Sequence, residues 1–307
     1  MPKKSIVVIG SSNTDMIVNV ARIPKPGETI LGGKFHTAPG GKGANQAVAA
    51  QRAGGDVTFI ASVGNDAFGE QAIAGFTKEG INIAHVSRDK SQPSGVALIF
   101  VGADGENSIA VASGANSRLS RTNIANAGSA IASASVLVMQ LETPLPTIQF
   151  AAKLAAENKI PVILNPAPAQ PLPDALLRRV TILTPNETEA ELLTGIKVTD
   201  NASATKAASA LLARGVQIVI ITLGSRGALV AMVGLVQHVP GFKVKPVDTT
   251  AAGDCFNGAL AVAFAEEKPL LDAVRFANAA AALSVTKPGA QPSAPTRRAI
   301  EKLLANT

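Results

Sequence analysis

Asp248-Thr-Thr-Ala-Ala-Gly-Asp-Cys-Phe-Asn-Gly258 is a turn rich in small residues that runs into an apolar helical stretch, Ala259-Leu-Ala-Val-Ala-Phe264. Ala251, Ala252 and Gly253 let backbone N–H groups come close to a ligand, and the helix start behind them adds the positive end of its dipole. An anion such as a phosphate fits that description. Asp254, at the same helix start, stands where it can accept a proton from an attacking hydroxyl, the role of a base in phosphoryl transfer. The plain alternative is an N-terminal aspartate that only stabilises its helix.

Gly40-Gly-Lys-Gly-Ala-Asn45 is a second glycine-rich turn, in which Lys42 and Asn45 offer donors and an acceptor to hydroxyl groups. It is not a Walker-type loop, because Gly43 follows Lys42 where Ser or Thr is required; a tight strand-to-helix connection is the alternative. Gly10-Ser-Ser-Asn-Thr-Asp15 closes the first apolar run, and Asn13 and Asp15 there are placed to bind neutral hydroxyls, Asp15 accepting from two. No Gly-x-Gly-x-x-Gly follows this run, which argues against a dinucleotide cofactor.

Three further pieces stand behind later apolar runs: Leu164-Asn-Pro-Ala-Pro168, Leu183-Thr-Pro-Asn-Glu-Thr-Glu189 and Ile221-Thr-Leu-Gly-Ser-Arg-Gly227. Asn186 and Glu189 are three apart at a helix start, so both can face one point and hold a hydrated Mg²⁺ beside phosphates, or simply cap the helix. The turn at Gly224 to Gly227 suits a nucleotide but also a plain β-hairpin. Cys255 has no histidine near it in a motif, since His36, His85 and His238 are scattered, and reads as a small buried residue.

These residues need a frame. Ser5 to Ile9, Val57 to Ala61, Val136 to Gln140, Val162 to Asn165, Thr181 to Thr184 and Gln217 to Thr222 read as continuous apolar strands of a parallel sheet covered on both faces. Helix formers fill Gly43 to Arg52, Pro146 to Asn158, Glu187 to Thr194, Asn201 to Arg214, Gly253 to Glu266 and Leu270 to Val285. The alternation predicts a doubly wound α/β fold, with every motif at a strand's carboxyl end. Two stretches break the rhythm. Asp15 to His36 alternates without a helix, and Gly95 to Val111 looks like a hairpin turning at Ala103-Asp104-Gly105-Glu106. Both are read as a small β-sheet lid, inserted at about 15–38 and 94–112 into one domain spanning 1–307. Its alternating apolar residues need cover from substrate or from a second copy, so a homodimer through the lid is expected.

Composition excludes other classes. Of 307 residues 47% are hydrophobic and 16% charged, which rules out wholesale disorder. A net charge of +6, thinly spread, with no Trp and no Tyr, speaks against nucleic-acid binding. The longest uncharged stretch, Thr122 to Leu141, is interrupted by asparagines, glycine and serines and is no membrane span. The start lacks a signal-peptide core, and a single cysteine needs no oxidising compartment, so the cytoplasm is the expected location.

Taken together, the Gly-Gly-Lys-Gly-Ala-Asn turn, the Asn186/Glu189 pair and the Asp248-to-Asp254 turn resemble the paired signatures of the ribokinase family of carbohydrate kinases, in the expected order from Gly10 to about Ser293. The resemblance implies a ribokinase-like fold and transfer of the γ-phosphoryl of ATP to the 5-hydroxyl of D-ribose. It implies sugar contacts from Asn13, Thr14, Asp15, Gly41, Lys42, Gly43, Ala44, Asn45 and Glu142, with Asp254 deprotonating the hydroxyl. Ala251, Ala252 and Gly253 would form the anion hole. The nucleotide would lie on Asn186, Asn278 and the turn Thr222, Leu223, Gly224, Ser225, Arg226 and Gly227, beside Gly253. Glu189 would organise Mg²⁺ through water. A K⁺ activator would be held by Asp248, Thr250, Ser284, Lys287, Gly289 and Ser293, with Lys287 qualifying only through its carbonyl. Kinases of 2-deoxyribose share most of these motifs; a kinase for another furanose or a nucleoside is a further alternative, and a non-catalytic sugar-binding protein is the reading from another class.

Overall fold

The computed structural model describes residues 4–306; Met1 to Lys3 and Thr307, the ends of the expected 1–307 span, lie outside the described residues. The strands, in chain order, are β1 (Ser5–Ile9), β2 (Asn13–Val20), β3 (Lys34–Gly40), β4 (Asp56–Gly64), β5 (Asn82–Asp89), β6 (Gly95–Gly102) and β7 (Asn107–Ala112). Then follow β8 (Val136–Met139), β9 (Val162–Leu164), β10 (Ile182–Leu183), β11 (Ile218–Thr222), β12 (Ala228–Met232) and β13 (Leu235–Val239). The helices are α1 (Lys42–Arg52), α2 (Ala67–Glu79), α3 (Arg121–Asn126), α4 (Gly128–Ala132), α5 (Leu145–Glu157) and α6 (Asp174–Leu177). They continue with α7 (Glu187–Thr194), α8 (Asn201–Ala213), α9 (Ala252–Ala265), α10 (Leu270–Ser284) and α11 (Arg297–Ala305).

Nine strands form one sheet in the order β13-β12-β11-β10-β9-β8-β1-β4-β5. From β11 to β5 every pairing is parallel, and β12 and β13 add an antiparallel edge. The apolar alternation inside β1 serves two layers at once. Ile6 and Val8 pack in the layer holding α1, α9 and α10, whereas Val7 and Ile9 pack in the layer holding α5, α7 and α8. The order reverses at β1, with β4 and β5 on one side and β8 to β11 on the other, and such a switch point opens a crevice beyond the carboxyl ends of the strands.

The six strands and six helices expected from the sequence are all present, with ends shifted by a few residues. The structure adds β5, β12, β13, α2, α11 and the short helices α3, α4 and α6 to that plan. These lie at the sheet's edges or outer layer. Only Gly69 and Phe76 are buried in α2, and β5 is nowhere fully buried, so their apolar pattern is thin. The second sheet has the order β3-β2-β6-β7, with β2 and β6 parallel and the other pairs antiparallel. Its β6–β7 turn closes with the Gly102 N–H donating to the Glu106 carbonyl at 2.9 Å, at the expected place.

The register of the small sheet sorts its residues by face. Asp15 lies level with Ala38 and Ala97, and Ala97 with Val111, so these share one face. Val18, Phe35 and Phe100 lie level on the other face, beside Met16 and Leu98. Phe35 is 63% exposed and Leu98 48%.

Candidate active site

The site is assembled where α1 and α9 start. Gly258 lets these helices touch, for a Cβ there would stand 2.7 Å from Ala49 Cβ and from the Ala50 nitrogen. At the N-terminus of α1, a Cβ on Gly43 would stand 2.5 Å from the Gly10 carbonyl carbon and the Ser11 nitrogen, so only glycine allows α1 to start against the end of β1. That contact is why the Gly-Gly-Lys-Gly spelling and the Gly10-to-Asp15 segment belong together.

Asp254 is 5% exposed in the first turn of α9. Its Oδ2 accepts from Asn45 Nδ2 at 3.0 Å and its Oδ1 from Gln46 Nε2 at 2.9 Å. Burial pushes its carboxyl above the usual range, opposed by the Lys42 ammonium and the two amide donors. Ala251 adopts a left-handed backbone with φ 57°, and no side chain caps α9. By helix geometry the Gly253 and Asp254 N–H groups lack carbonyl partners within the helix, and Gly253 is exposed. Donors of this kind are what an anionic oxygen needs.

The sugar-side candidates converge on the same point. Glu142 Oε2 accepts from Ser11 Oγ at 2.5 Å and from the Lys42 N–H at 3.0 Å. Burial raises the Asp15 carboxyl to about 6, aided by the negative charges of Glu142 and Asp254. Burial would lower the Lys42 ammonium, but Asp254, Glu142 and Glu189 together outweigh it and hold it above its usual value. Asn13 is buried, and its Oδ1 accepts from Asn116 Nδ2 at 2.7 Å. Thr14 lies near the start of β2, Gly41 just before α1 and Ala44 in its first turn, where the Ala44 N–H donates to the Ser11 carbonyl at 2.8 Å. A separate cavity of about 430 Å³ between the small sheet and α2 touches Asn13 and Thr14 but not Lys42, Glu142 or Asp254. Convergent charge, rather than the size of a hollow, marks the site.

On the nucleotide side, Asn186 and Glu189 cap α7 reciprocally. Asn186 Oδ1 accepts from the Glu189 N–H at 2.8 Å, and Glu189 Oε2 accepts from the Asn186 N–H at 2.9 Å. Asn186 Nδ2 also reaches Glu189 Oε1 at 3.0 Å. The capping alternative is therefore realised, and a hydrated Mg²⁺ would use the lone pairs these bonds leave. The Thr222 N–H donates to the Pro185 carbonyl at 2.9 Å, which sets the Thr222-to-Gly227 turn beside Asn186. Gly224, Ser225 and Arg226 form an exposed 3₁₀ turn, while Leu223 is 2% exposed and can present only backbone. Arg226 pairs with Glu187. Asn278 Nδ2 donates to the Val239 and Pro240 carbonyls, both at 3.2 Å, so its donors hold α10 to the end of β13 and the residue that follows it.

The expected K⁺ ligands lie on two segments that are tied together. Asp248 Oδ1 accepts from the Thr250 N–H at 2.8 Å and its Oδ2 from the Gly289 N–H at 2.7 Å. Although burial raises it, bonds from Thr250 and Gly289 hold the Asp248 carboxyl below its usual value. The Ser284 and Ser293 hydroxyls donate to the Ala281 and Ala290 carbonyls at 2.8 and 2.7 Å, which leaves their oxygen lone pairs and the backbone carbonyls as the ligands these residues can offer; Lys287 is exposed. Among the described residues no group of three or more His, Cys, Asp and Glu is placed to hold a metal ion. An oxygen set of one carboxylate and carbonyls still suits a hard cation. Burial pushes the Cys255 thiol up to about 12, in keeping with an inert packed residue.

Sequence reasoning missed a buried polar layer behind the acid. Gln140, Asn165 and Thr184 each follow the last residue of β8, β9 and β10, and all are buried. The signal was present: three apolar strands each end on a polar residue, and the strands' last residues lie level, Met139 with Leu164 and Leu164 with Leu183.

A switch-point crevice, a buried carboxylate at an uncapped helix start and the carboxylates, amides and ammonium gathered around it fit an α/β phosphotransferase. Residues 3–297 match the pfkB family of carbohydrate kinases, and the chain belongs to that family. It is 49% identical to the ribokinase of Haemophilus influenzae over 296 residues, 96% of this chain and 97% of that one. It is 39% identical to the deoxyribokinase of Salmonella typhimurium over 292 residues, 95% of each. The structure of Arabidopsis thaliana ribokinase complexed with ribose and ATP superposes with a TM-score of 0.90 at 34% identity, covering 98% of this chain and 99% of that one.

Proposed function

We propose that this chain phosphorylates D-ribose at its 5-hydroxyl with ATP, giving D-ribose 5-phosphate and ADP. The observation that carries the reading is Asp254, buried at the uncapped start of α9 with Lys42, Asn45 and Glu142 around it. The sugar's ring hydroxyls meet Asn13, Asp15, Lys42, Asn45 and Glu142, with backbone from Thr14, Gly41, Gly43 and Ala44. Its 5-hydroxyl faces Asp254, which takes the proton as the oxygen attacks the γ-phosphorus and the bond to ADP breaks. Charge spreading over the equatorial oxygens is met by the amides of Ala251, Ala252 and Gly253, the Ala252 N–H giving up its 3.3 Å bond to the Thr249 carbonyl. ATP lies along Asn186, Thr222 to Gly227, Gly253 and Asn278. Glu189 would hold Mg²⁺ through water, and the ion would supply charge neutralisation at the phosphates. Asp248 and the oxygens of Thr250, Ser284, Lys287, Gly289 and Ser293 would hold K⁺, which would supply positive charge near the anion turn.

The whole chain works as one domain, with lid segments at about 15–38 and 94–112 closing over the sugar and excluding water. Phe35, Leu98 and Phe100 face away from Asp15, where no sugar can cover them, and this supports a homodimer through the lid. Among the described residues no helix is long and apolar enough to cross a membrane. With one buried thiol, the chain suits the reducing cytoplasm.

A second reading, a 2-deoxyribose kinase, is favoured by the likeness to the Salmonella protein. ADP release measured with ribose, 2-deoxyribose, fructose and adenosine, each with and without K⁺, decides. The highest kcat/KM with ribose, raised by K⁺, is the expected result. A preference for deoxyribose overturns the substrate, and sugar binding without ADP release overturns the kinase.

A further inference from the structure

We propose that Gln46 is a positioning residue for the phosphoryl-transfer base, pinning Oδ1 of Asp254 toward the core so that Oδ2 alone is presented to the sugar hydroxyl. The inference rests on the reading of Asp254 as the base. Gln46 is 0% exposed, and its amide has no freedom left. Nε2 donates one hydrogen to Asp254 Oδ1 at 2.9 Å and the other to Asn165 Oδ1 at 3.2 Å. Oε1 accepts from Gln140 Nε2 at 2.7 Å. Turning the amide over would set its oxygen against a carboxylate and its NH₂ against that of Gln140. The side chain is therefore locked in one orientation by three partners on three different elements.

The two oxygens of Asp254 are consequently unlike. Oδ2 faces Asn45 Nδ2, and Asn45 is itself unfinished, because its buried Oδ1 has no partner. A ligand hydroxyl can donate to that oxygen and draw Asn45 away, opening Oδ2. Oδ1 has no such exchange available, for both Nε2 hydrogens and the Oε1 of Gln46 are committed, and the buried Gln140 Oε1 behind it, without a partner, is an acceptor that cannot replace a donor to Oδ1. Asn165 Nδ2 donates to the Thr184 carbonyl at 3.1 Å, Thr184 Oγ1 to Asn257 Oδ1 at 2.7 Å, and Asn257 Nδ2 to the Gly253 carbonyl at 2.8 Å. The chain of bonds thus leaves the base and returns to the anion turn one residue before it. The hydroxyl proton is accepted by Oδ2 while the Gln46 bond to Oδ1 persists, so the carboxylate does not rotate during transfer. A donor on Oδ1 also favours the charged form, which opposes the upward push of burial on this carboxyl.

The test compares Gln46→Met and Gln140→Met with the wild-type chain. Gln46→Met should lower kcat about 10- to 100-fold, while KM for the sugar changes far less. The acid limb of kcat should move to higher pH, because a carboxylate that loses a donor holds its proton more tightly. Gln140→Met, which leaves Gln46 in place but frees its amide, should shift both readouts the same way by less, and it carries the test if Gln46→Met does not fold. An infrared titration of the Asp254 carboxyl in the sugar-free protein, assigned by its loss in Asp254→Asn, should show the same upward move. It reads Gln46 independently of turnover, so a wild-type chain that phosphorylates no sugar would sink the kinase reading without touching this result. An unmoved Asp254 titration in both variants overturns the proposal, as does a fall in kcat with an unmoved acid limb.

Discussion

Asn45 and Asp254 stand 209 residues apart in the chain, yet the amide nitrogen of one lies 3.0 Å from the carboxylate oxygen of the other. The contact joins the first turn of α1 to the first turn of α9, which come together because Gly258 lets the two helices touch. A sugar-side residue is thereby bonded directly to the proposed base, and the pair separates binding from chemistry experimentally.

Replacing Asp254 with Asn keeps the shape and removes the proton acceptor. Turnover should fall by about 10²- to 10⁴-fold with sugar affinity little changed. Steady-state kinetics alongside sugar calorimetry check it, and near-full activity in the variant would dismiss the base assignment.

Asp15 should control the acid side of sugar capture. Burial, then Glu142 and Asp254, raises its carboxyl to about 6, so it is ionised above that pH and protonated below. Only the ionised form accepts from two hydroxyls. As pH falls through about 6, kcat/KM for the sugar should fall with it, and Asp15→Asn should give a low value without that limb. A profile unchanged by Asp15→Asn would reject the assignment.

Two glycine-to-alanine changes should have opposite signs. A Cβ at Gly43 would lie 2.5 Å from backbone atoms that cannot yield, whereas at Gly75, inside α2, it meets nothing within 4 Å. Gly43→Ala should destabilise by about 1–3 kcal/mol, and Gly75→Ala should stabilise by about 0.4–1 kcal/mol through the lost freedom of the unfolded chain. Denaturant unfolding measures both; a neutral Gly43→Ala would contradict the close approach of α1 to β1.

The small sheet should pair with a second copy. Light scattering is expected to give the mass of a dimer, and Phe35→Lys combined with Leu98→Lys, both on the face away from Asp15, should give a monomer. A monomeric wild-type chain at micromolar concentration removes the lid dimer.

The interior strands were readable because parallel strands covered on both faces are continuous apolar runs. β1, β4 and β8 have almost no exposed residue to blur them. The outer elements were not, since α2 and β5 bury too little for a period to show. The same limit applies to side chains. Asn186 and Glu189 invited two readings, and the coordinates show the reciprocal cap, because a spacing of three serves a helix end and a ligand equally.

By itself the sequence determined the α/β frame, the small inserted sheet and the turns that cluster at strand ends, because these are local matters of periodicity, small residues and helix starts. Only the tertiary structure decided that Oδ2 of Asp254 meets Asn45 while Oδ1 meets Gln46, and that Gln140 and Asn165 stand behind Gln46. Those bonds join residues that lie 94 to 209 positions apart. A polar side chain gives no sign in the sequence of the partner that folding will bring to it, and here the partners are set by the parallel register of β8, β9 and β10 against two touching helices.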